Sequence, residues 1–299
     1  MVLRHSGDYA EGYELLVLRS GDRAHMLMDF ASLSLSKGTS WRSNANDERA
    51  FLLAEGMVEF LVSAKVEWVG SSEDWIPDLK SIYIESLAEG GTRIRASRTS
   101  FLEENPTVLH LPAGTEVEIQ PLSEHTVLYV SATSNDARFA PRLYLPFECQ
   151  TEFRNEGTLQ ETSTRIVRTV FNKSNAPWSN LVLGEVVNQP GRWSSYPPHH
   201  HPQPEIYHYR FYPKQGFGMT ALGTEAYLVR NRDTLLITDS KDHPQVAAPG
   251  YAMWYLWVIR HLDGNPYISP EFNPDHVWVD KPGARIWEMN RRDEQGENR

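Results

Sequence analysis

The chain has 299 residues, of which 40% are hydrophobic and 23% are charged, and its formal net charge is −10. This composition is typical of a folded globular protein, not of a disordered chain. The acidic balance argues against a nucleic-acid-binding protein, which normally carries a basic patch. The single cysteine, Cys149, excludes an intrachain disulfide and a thiolate-rich zinc site, and it fits a reducing compartment.

The length permits one large domain or two of about 150 residues each. Residues 1–12 are polar, lack the apolar core of a signal peptide and are expected to be mobile. No apolar run reaches the roughly 20 residues that cross a membrane. We therefore expect a cytoplasmic protein with neither a membrane nor a nucleic acid as its partner.

Short apolar runs separated by Gly and Pro turns follow, rich in β-branched and aromatic residues, and no long amphipathic helix interrupts them. This pattern predicts an all-β sandwich or barrel. Residues 68–106 are expected to form a loop with short strands. The strands predicted in the first half are residues 13–18, 26–30, 50–53, 56–62, 108–114, 117–120 and 126–130.

The polar residues 131–160 are interpreted as the crossing between two halves, which predicts domains at residues 1–150 and 151–299. The charged tail that ends the chain is expected to be solvated and frayed. The strands predicted in the second half are residues 164–171, 181–187, 206–212, 226–229, 234–237 and 252–259.

Within the second half, three consecutive histidines stand between prolines and are followed by a carboxylate. In an extended segment, His199 and His201 leave on the same face, and Glu205 keeps that parity. Two imidazoles and a carboxylate directed at one point suit a divalent first-row metal. His200 is expected to point away or to support a ligand.

The spacing His-x-His-x3-Glu resembles the first motif of the cupins. Residues 112–117 have the form Pro-x-Gly-x-x-apolar, and residues 238–243 occupy the corresponding place in the second half but end in His243. The architecture this resembles is a bicupin, two jelly-roll β-barrels in tandem. His243 would then be the fourth ligand, and such a set leaves positions open for water or substrate. Because Val117 stands where a histidine is needed, the N-terminal barrel is expected to be ligand-less and structural.

Aromatic and basic residues around the tract are candidates for the rest of a site. Tyr207 shares the face of Glu205, which makes it a candidate catalytic or pocket-lining residue, and Tyr255 is a candidate for substrate contact; core packing is the alternative for both. Arg192 and Arg210 are candidates for binding a substrate carboxylate, with a surface salt bridge as the alternative. His208 has the opposite parity and is expected on the surface.

Three longer segments of the second half resemble the 5-deoxyglucuronate isomerase family of myo-inositol catabolism, which is related to the uronate ketol-isomerases of pectin breakdown. The segments are Gly191–His199, Glu205–Phe211 and Pro213–Gly218, and the resemblance is extended by His243–Pro244, Pro249–Tyr251, Tyr255–Leu256 and Asn273–Trp278. The resemblance covers roughly residues 160–280 well, and the first half only in general layout.

This resemblance implies a metal-dependent isomerase that converts 5-deoxy-D-glucuronate to 2-deoxy-5-keto-D-gluconate. It places a divalent ion, Zn or Mn, in the C-terminal barrel on His199, His201, Glu205 and His243. The implied partner is a small sugar acid, and the implied assembly is a homo-oligomer. The base remains open between Glu205, Tyr207 and a metal-bound hydroxide.

The chain departs from the family pattern at three places. The spacer at residues 202–204 is shorter, Thr238 and Ser240 replace a proline and a glycine, and Trp257 replaces a smaller polar residue. These departures bear on the substrate more than on the fold or the metal. Two alternatives stay open: an Fe(II) cupin dioxygenase, which the same ligands would suit, and a non-catalytic cupin that binds sugar acids.

Overall fold

The computed structural model describes residues 1–5, 7–69 and 82–287. These residues form 23 strands and four short 3₁₀ helices, which confirms the all-β prediction. Within these ranges no helix is long and apolar enough to cross a membrane. The predictions for residues 70–81 and for the tail beyond residue 287 lie outside the described residues. The 3₁₀ helices are Gly21–Met26, Pro146–Glu148, Leu159–Glu161 and Val277–Asp280.

Ten strands of the first half form one sheet that wraps around an apolar interior. The predicted strand at residues 26–30 was placed too early, because a 3₁₀ helix occupies its start and the strand begins at Asp29. The ten strands are β2 (Gly12–Val17), β3 (Asp29–Ser36), β4 (Trp41–Ser43), β5 (Glu48–Val62), β6 (Ile82–Ser86), β7 (Thr92–Arg98), β8 (Val108–Leu111), β9 (Val117–Pro121), β10 (His125–Thr133) and β11 (Arg142–Tyr144).

A single glycine lets β5 serve both sides of this barrel. The sequence predicts two strands here, but β5 is continuous and changes partners near Gly56, from β8 and β10 to β7 and β9. Gly56 has φ +99°, and a Cβ atom there would lie 2.5 Å from the carbonyl oxygen of His125. Only glycine combines that backbone angle with so close an approach, so the bend that closes the barrel requires it.

The second barrel combines a seven-stranded sheet with a four-stranded sheet. The first is ordered β1-β20-β17-β22-β14-β13-β12, where β1 is Val2–Leu3, and the second is ordered β15-β21-β18-β19. β16 and β23 form a separate pair. Its strands are β12 (Gln150–Arg154), β13 (Arg165–Phe171), β14 (Leu181–Asn188), β15 (Trp193–Ser194), β16 (His199–His200), β17 (Glu205–Tyr212), β18 (Phe217–Leu222), β19 (Glu225–Arg230), β20 (Thr234–Ile237), β21 (Gln245–Ala247), β22 (Ala252–Arg260) and β23 (Glu271–Phe272).

The start of the chain is part of the second barrel. β1 (Val2–Leu3) pairs antiparallel with β20, and Arg4 forms an ion pair with Asp233. Tyr9 packs its ring against Tyr129, with its centroid 6.2 Å away. The sequence analysis did not predict these contacts. An edge strand needs only two or three residues to pair, which is too short a segment to show a period of two.

A cluster of apolar side chains from both barrels lies between them. In it, Tyr129 and Trp254 stack with 5.8 Å between their ring centroids. Within this interface lies a charged triad. The carboxylate of Glu185 on β14 is 2.6 Å from a nitrogen of Arg98 on β7 and 2.7 Å from one of Arg168 on β13. Glu185 and Arg98 are at most 1% exposed, so the triad links the barrels away from bulk solvent.

The barrel interface also buries His208, which contradicts its expected surface position. Its ring is 0% exposed and lies 4.8 Å from that of Tyr129, while Nδ1 is 2.9 Å from the Thr234 hydroxyl. Burial, reinforced by the nearby basic side chains of His5, Arg232 and Arg210, lowers the pKa of His208 well below its ordinary value. The parity assignment was correct, but the face opposite Glu205 packs on the first barrel.

We therefore expect the free energy of unfolding to fall as pH drops below about 6.5, the pKa of a histidine in the unfolded chain. The unfolded state binds a proton there that folded His208 does not, so acid favours unfolding. His208→Asn should give a shallower dependence, measured by urea unfolding of chelator-treated protein at pH 7.5 and 5.5. His276→Asn, at an exposed histidine, is the control. Equal pH dependence in the wild type and His208→Asn would contradict this assignment.

Candidate metal centre

Three of the four predicted ligands meet in the interior of the second barrel. The Nε2 atoms of His201 and His243 lie 3.1 Å and 3.4 Å from Oε2 of Glu205. One ligand atom from each residue lies within 4.8 Å of the other two. Glu205 opens β17 and pairs with Ile237 at the end of β20, so antiparallel pairing brings the turn that carries His243 beside the histidine tract.

The hydrogen bonds of both imidazoles orient the cluster for a cation. Nδ1 of His201 is 3.0 Å from the Gln203 carbonyl oxygen, and Nδ1 of His243 is 2.9 Å from that of Lys241. A carbonyl only accepts, so each Nδ1 carries a proton and each Nε2 is the ring atom that faces the Glu205 carboxylate.

The electrostatics agree with a neutral imidazole at His243. Burial lowers the pKa of His243, although Glu205 acts in the opposite direction. Within the described residues, the buried Nε2 of His243 has no hydrogen-bond partner. Two ring nitrogens and a carboxylate that converge in this way could hold a divalent metal ion, and the backbone bonds at Nδ1 are the support that ligating histidines usually have.

The other two histidines of the tract differ in their contacts. The His199 ring lies 4.9 Å from that of His243, and burial together with His243 lowers its pKa well below the ordinary value. His199 falls outside the 4.8 Å group, so its role as a ligand stays a prediction. His200 instead places Nδ1 2.8 Å from Oδ1 of Asp242.

The turn before His243 keeps the backbone conformation of the cupin motif, although Thr238 and Ser240 replace its proline and glycine. Asp239 and Ser240 have φ values of 63° and 51°, and Gly114 has φ 77° at the glycine of the first-half pattern. Ser240 thus adopts the left-handed conformation that glycine adopts without strain. The loss of the motif glycine leaves the turn that carries His243 intact.

His199, His201 and Glu205 line a cavity of about 500 Å³, and the fully buried His243 lies next to Glu205. Inward-facing side chains of β12, β13, β14, β17 and β22 line the cavity, including Tyr207, Tyr255 and Trp257. Tyr207 Oη is 3.3 Å from the Ser195 hydroxyl, and Tyr255 Oη is 2.6 Å from that of Ser194. Burial raises the pKa of both phenols, and Glu205 adds to the shift at Tyr207, so both stay protonated and available as donors.

The structure contradicts the placement of Arg192 and Arg210 at this site. Neither lines the cavity. Arg192 lies 3.3 Å from a carboxylate oxygen of Glu161. Arg210 is buried at the barrel interface, 2.7 Å from Glu55 and stacked 4.0 Å above the Phe101 ring. The period of two along β17 explains this, because Arg210 shares the parity of His208 and faces away from Glu205.

Two arginines that the sequence analysis missed do line the cavity, Arg154 and Arg165. Arg165 alternates with Val167 and Thr169 on β13, and all three face inward. The alternation was readable in the predicted strand at residues 164–171. Which of its two faces is interior depends on how the sheet packs, and the strand itself does not reveal that.

Comparison with known proteins places the fold and the family. A model of the KduI/IolB family matches residues 81–279. The 5-deoxy-glucuronate isomerase of Geobacillus thermodenitrificans is 30% identical over 191 residues, which is 58% of this chain and 66% of that protein, just under two thirds of its length.

Among solved structures, an IolB-like protein from Salmonella typhimurium superimposes with a TM-score of 0.70 at 22% identity, covering 92% of this chain and 98% of that one. An oxalate decarboxylase from Lactobacillus farciminis does so with a TM-score of 0.60 at 12% identity, covering 92% and 88%. These likenesses confirm the predicted bicupin fold. The family model covers well over half of the chain, and the chain belongs to the KduI/IolB family.

Proposed function

We propose that this protein is a metal-dependent isomerase that interconverts the aldehyde and ketone forms of a deoxy uronic acid. The specific reaction proposed is 5-deoxy-D-glucuronate to 2-deoxy-5-keto-D-gluconate in myo-inositol catabolism. The observation that carries the proposal is the cluster of His201, Glu205 and His243, whose ligand atoms converge beside a cavity that His201 and Glu205 line. The name of the matching Geobacillus relative supports the same reaction.

The cavity has the size and polarity of a small-molecule site. Its volume of about 500 Å³ lies within the range of about 300–1,000 Å³ usual for ligand pockets. Aromatic rings and many charged or polar groups line it, which suits a polar ligand such as a sugar acid. A six-carbon acid is much smaller than this volume, so substrate and several waters fit together.

The proposed metal ligands are His201, Glu205 and His243, with His199 as the fourth. A bound Zn or Mn ion would supply Lewis-acid polarisation of the substrate carbonyl. Imidazole and carboxylate ligands suit both metals. Nδ1 of each histidine donates to a backbone carbonyl oxygen, which leaves Nε2 as the ring atom that would bind the ion.

The chain's own residues supply the proton chemistry. Tyr207 keeps its proton at Oη and donates a hydrogen bond to a substrate oxygen as negative charge develops there. The raised pKa removes Tyr207 from the candidate bases at neutral pH. Glu205 remains the proposed proton acceptor among the side chains. Tyr255, which lies 4.7 Å from Tyr207 between ring centroids, packs beside the substrate.

An anaerobic assay with Zn- or Mn-loaded protein over a panel of deoxy uronic acids tests this function. The isomerisation moves protons within one molecule and needs no oxidant, so we expect turnover without oxygen. A strict requirement for oxygen and Fe(II) would instead identify a dioxygenase. Tight binding of a sugar acid without turnover would identify a non-catalytic binding protein. A cytoplasmic location and a homo-oligomeric state belong to the same proposal and are checked by fractionation and light scattering.

A further inference from the structure

Arg165 is a buried cation in the wall of the cavity that His201 and Glu205 also line. It is 5% exposed. Its Nη1 donates to the Ser163 carbonyl oxygen at 2.9 Å, and its Nη2 donates to that of Tyr196 at 3.2 Å. A guanidinium has five N–H donors, so these two bonds position the group and leave donors for another acceptor.

No carboxylate of the described residues forms an ion pair with Arg165. Arg98 and Arg168, which are buried to a similar degree, lie within 2.7 Å of an oxygen of Glu185, and Arg232 lies 2.6 Å from one of Glu14. A buried charge is costly unless it is paired. A positive charge held beside a cavity without a counter-ion is therefore arranged for an anion that enters the cavity.

The position of Arg165 matches the shape of the proposed substrate. A uronic acid carries its aldehyde and its carboxylate at opposite ends of a six-carbon chain. Arg165 lines the same cavity as His201 and Glu205. The aldehyde end of such a molecule can face the candidate metal ligands while the carboxylate end lies at the guanidinium. A guanidinium can bind a carboxylate through two parallel hydrogen bonds.

We propose that Arg165 binds the substrate carboxylate and so selects sugar acids over neutral sugars. This inference rests on the proposed function for the identity of the substrate, but binding alone tests it. Selection follows because a neutral analogue would leave the guanidinium buried and unpaired. Arg165 thereby takes the role that the sequence analysis assigned to Arg192 and Arg210.

The test compares glucuronate with glucuronamide, its neutral isostere, by calorimetric titration of the metal-loaded protein. We expect the wild type to bind glucuronate about 10- to 100-fold more tightly, the range for hydrogen bonds to a charged group. Arg165→Gln should bind the two ligands equally, and Arg165→Lys should keep part of the preference. Arg154→Gln is the matched control, because Arg154 lines the same cavity but is 44% exposed and paired with Glu152.

If the wild type binds glucuronate and glucuronamide equally, that result alone overturns the inference. So does a preference that survives in Arg165→Gln, or one that disappears in Arg154→Gln. If Arg165→Gln does not fold, the comparison of the wild type with Arg165→Lys decides, since the lysine keeps the charge but loses the fork. Carboxylate selection without isomerase turnover would defeat the proposed function alone, whereas turnover without selection would defeat only this inference.

Discussion

Replacing His243 by alanine is expected to lower bound divalent metal to less than about a tenth of an equivalent per chain, and to lower kcat by at least about a thousandfold. Loss of residues that merely support metal ligands costs about 10–100-fold in affinity or activity, and His243 stands in the cluster itself. Its Nε2 lies 3.4 Å from Glu205 and is otherwise unpartnered within the described chain. Removing it leaves one imidazole and one carboxylate in that group.

Metal content by elemental analysis after dialysis, followed by an activity assay, measures this effect. His200→Ala is the control, because His200 belongs to the same tract but contacts Asp242. Its metal content should stay within about twofold of the wild type, because the 10–100-fold cost applies to residues that hydrogen-bond a ligand and His200 bonds Asp242 instead. Unchanged metal content in His243→Ala would remove His243 from the ligand set. Circular dichroism of the variant distinguishes loss of metal from loss of fold.

Replacing Glu185 by glutamine is expected to reduce the free energy of unfolding by about 3–5 kcal/mol, the usual cost of removing one partner from a buried ion pair. The amide keeps the shape of the side chain but loses the charge that both Arg98 and Arg168 share. The two guanidinium groups are then left close together between the barrels. Backbone carbonyl oxygens, such as that of Glu104, retain hydrogen bonds to both but supply no net charge.

Urea unfolding of the wild type and the variant measures the loss. Glu152→Gln is the matched control, since Glu152 also pairs with an arginine, Arg154, but at the surface, with side chains 51% and 44% exposed. An exposed pair contributes about 0–1 kcal/mol. A loss in Glu185→Gln no larger than that in Glu152→Gln would show that the triad does not hold the barrels together.

The cluster of candidate metal ligands was largely predictable from the sequence, because it follows from strand alternation and motif spacing. Alternation along an extended segment placed His201 and Glu205 on one face, and the motif spacing supplied His243 despite the changed turn. Ser240 shows why the altered motif still works, since its backbone adopts the angle of the missing glycine. These inferences needed only neighbours in sequence and one resemblance.

The basic residues show where local rules end. Arg210 and Arg165 both lie on strands with clear alternation, and each is buried. Arg210 meets Glu55 from the first barrel, 155 positions away in sequence, whereas Arg165 faces the cavity. Period-two alternation divides a strand into two faces, but both faces of this sheet are covered, one by the barrel interior and one by the other barrel. The parity of a residue along its strand therefore does not show whether its side chain faces the barrel interior or the other barrel.

By itself, the sequence determined the all-β class and the candidate ligands His199, His201 and Glu205, because these rest on period, spacing and residue chemistry. The bicupin pattern, His243 and the family came from the resemblance to known motifs. Only the tertiary structure decided which arginine shares the cavity with those ligands, that the first residues pair with β20, and that Glu185 joins the barrels. Those contacts are made between residues distant in the chain. They depend on which surfaces pack against each other, and the residues adjacent in sequence do not determine that packing.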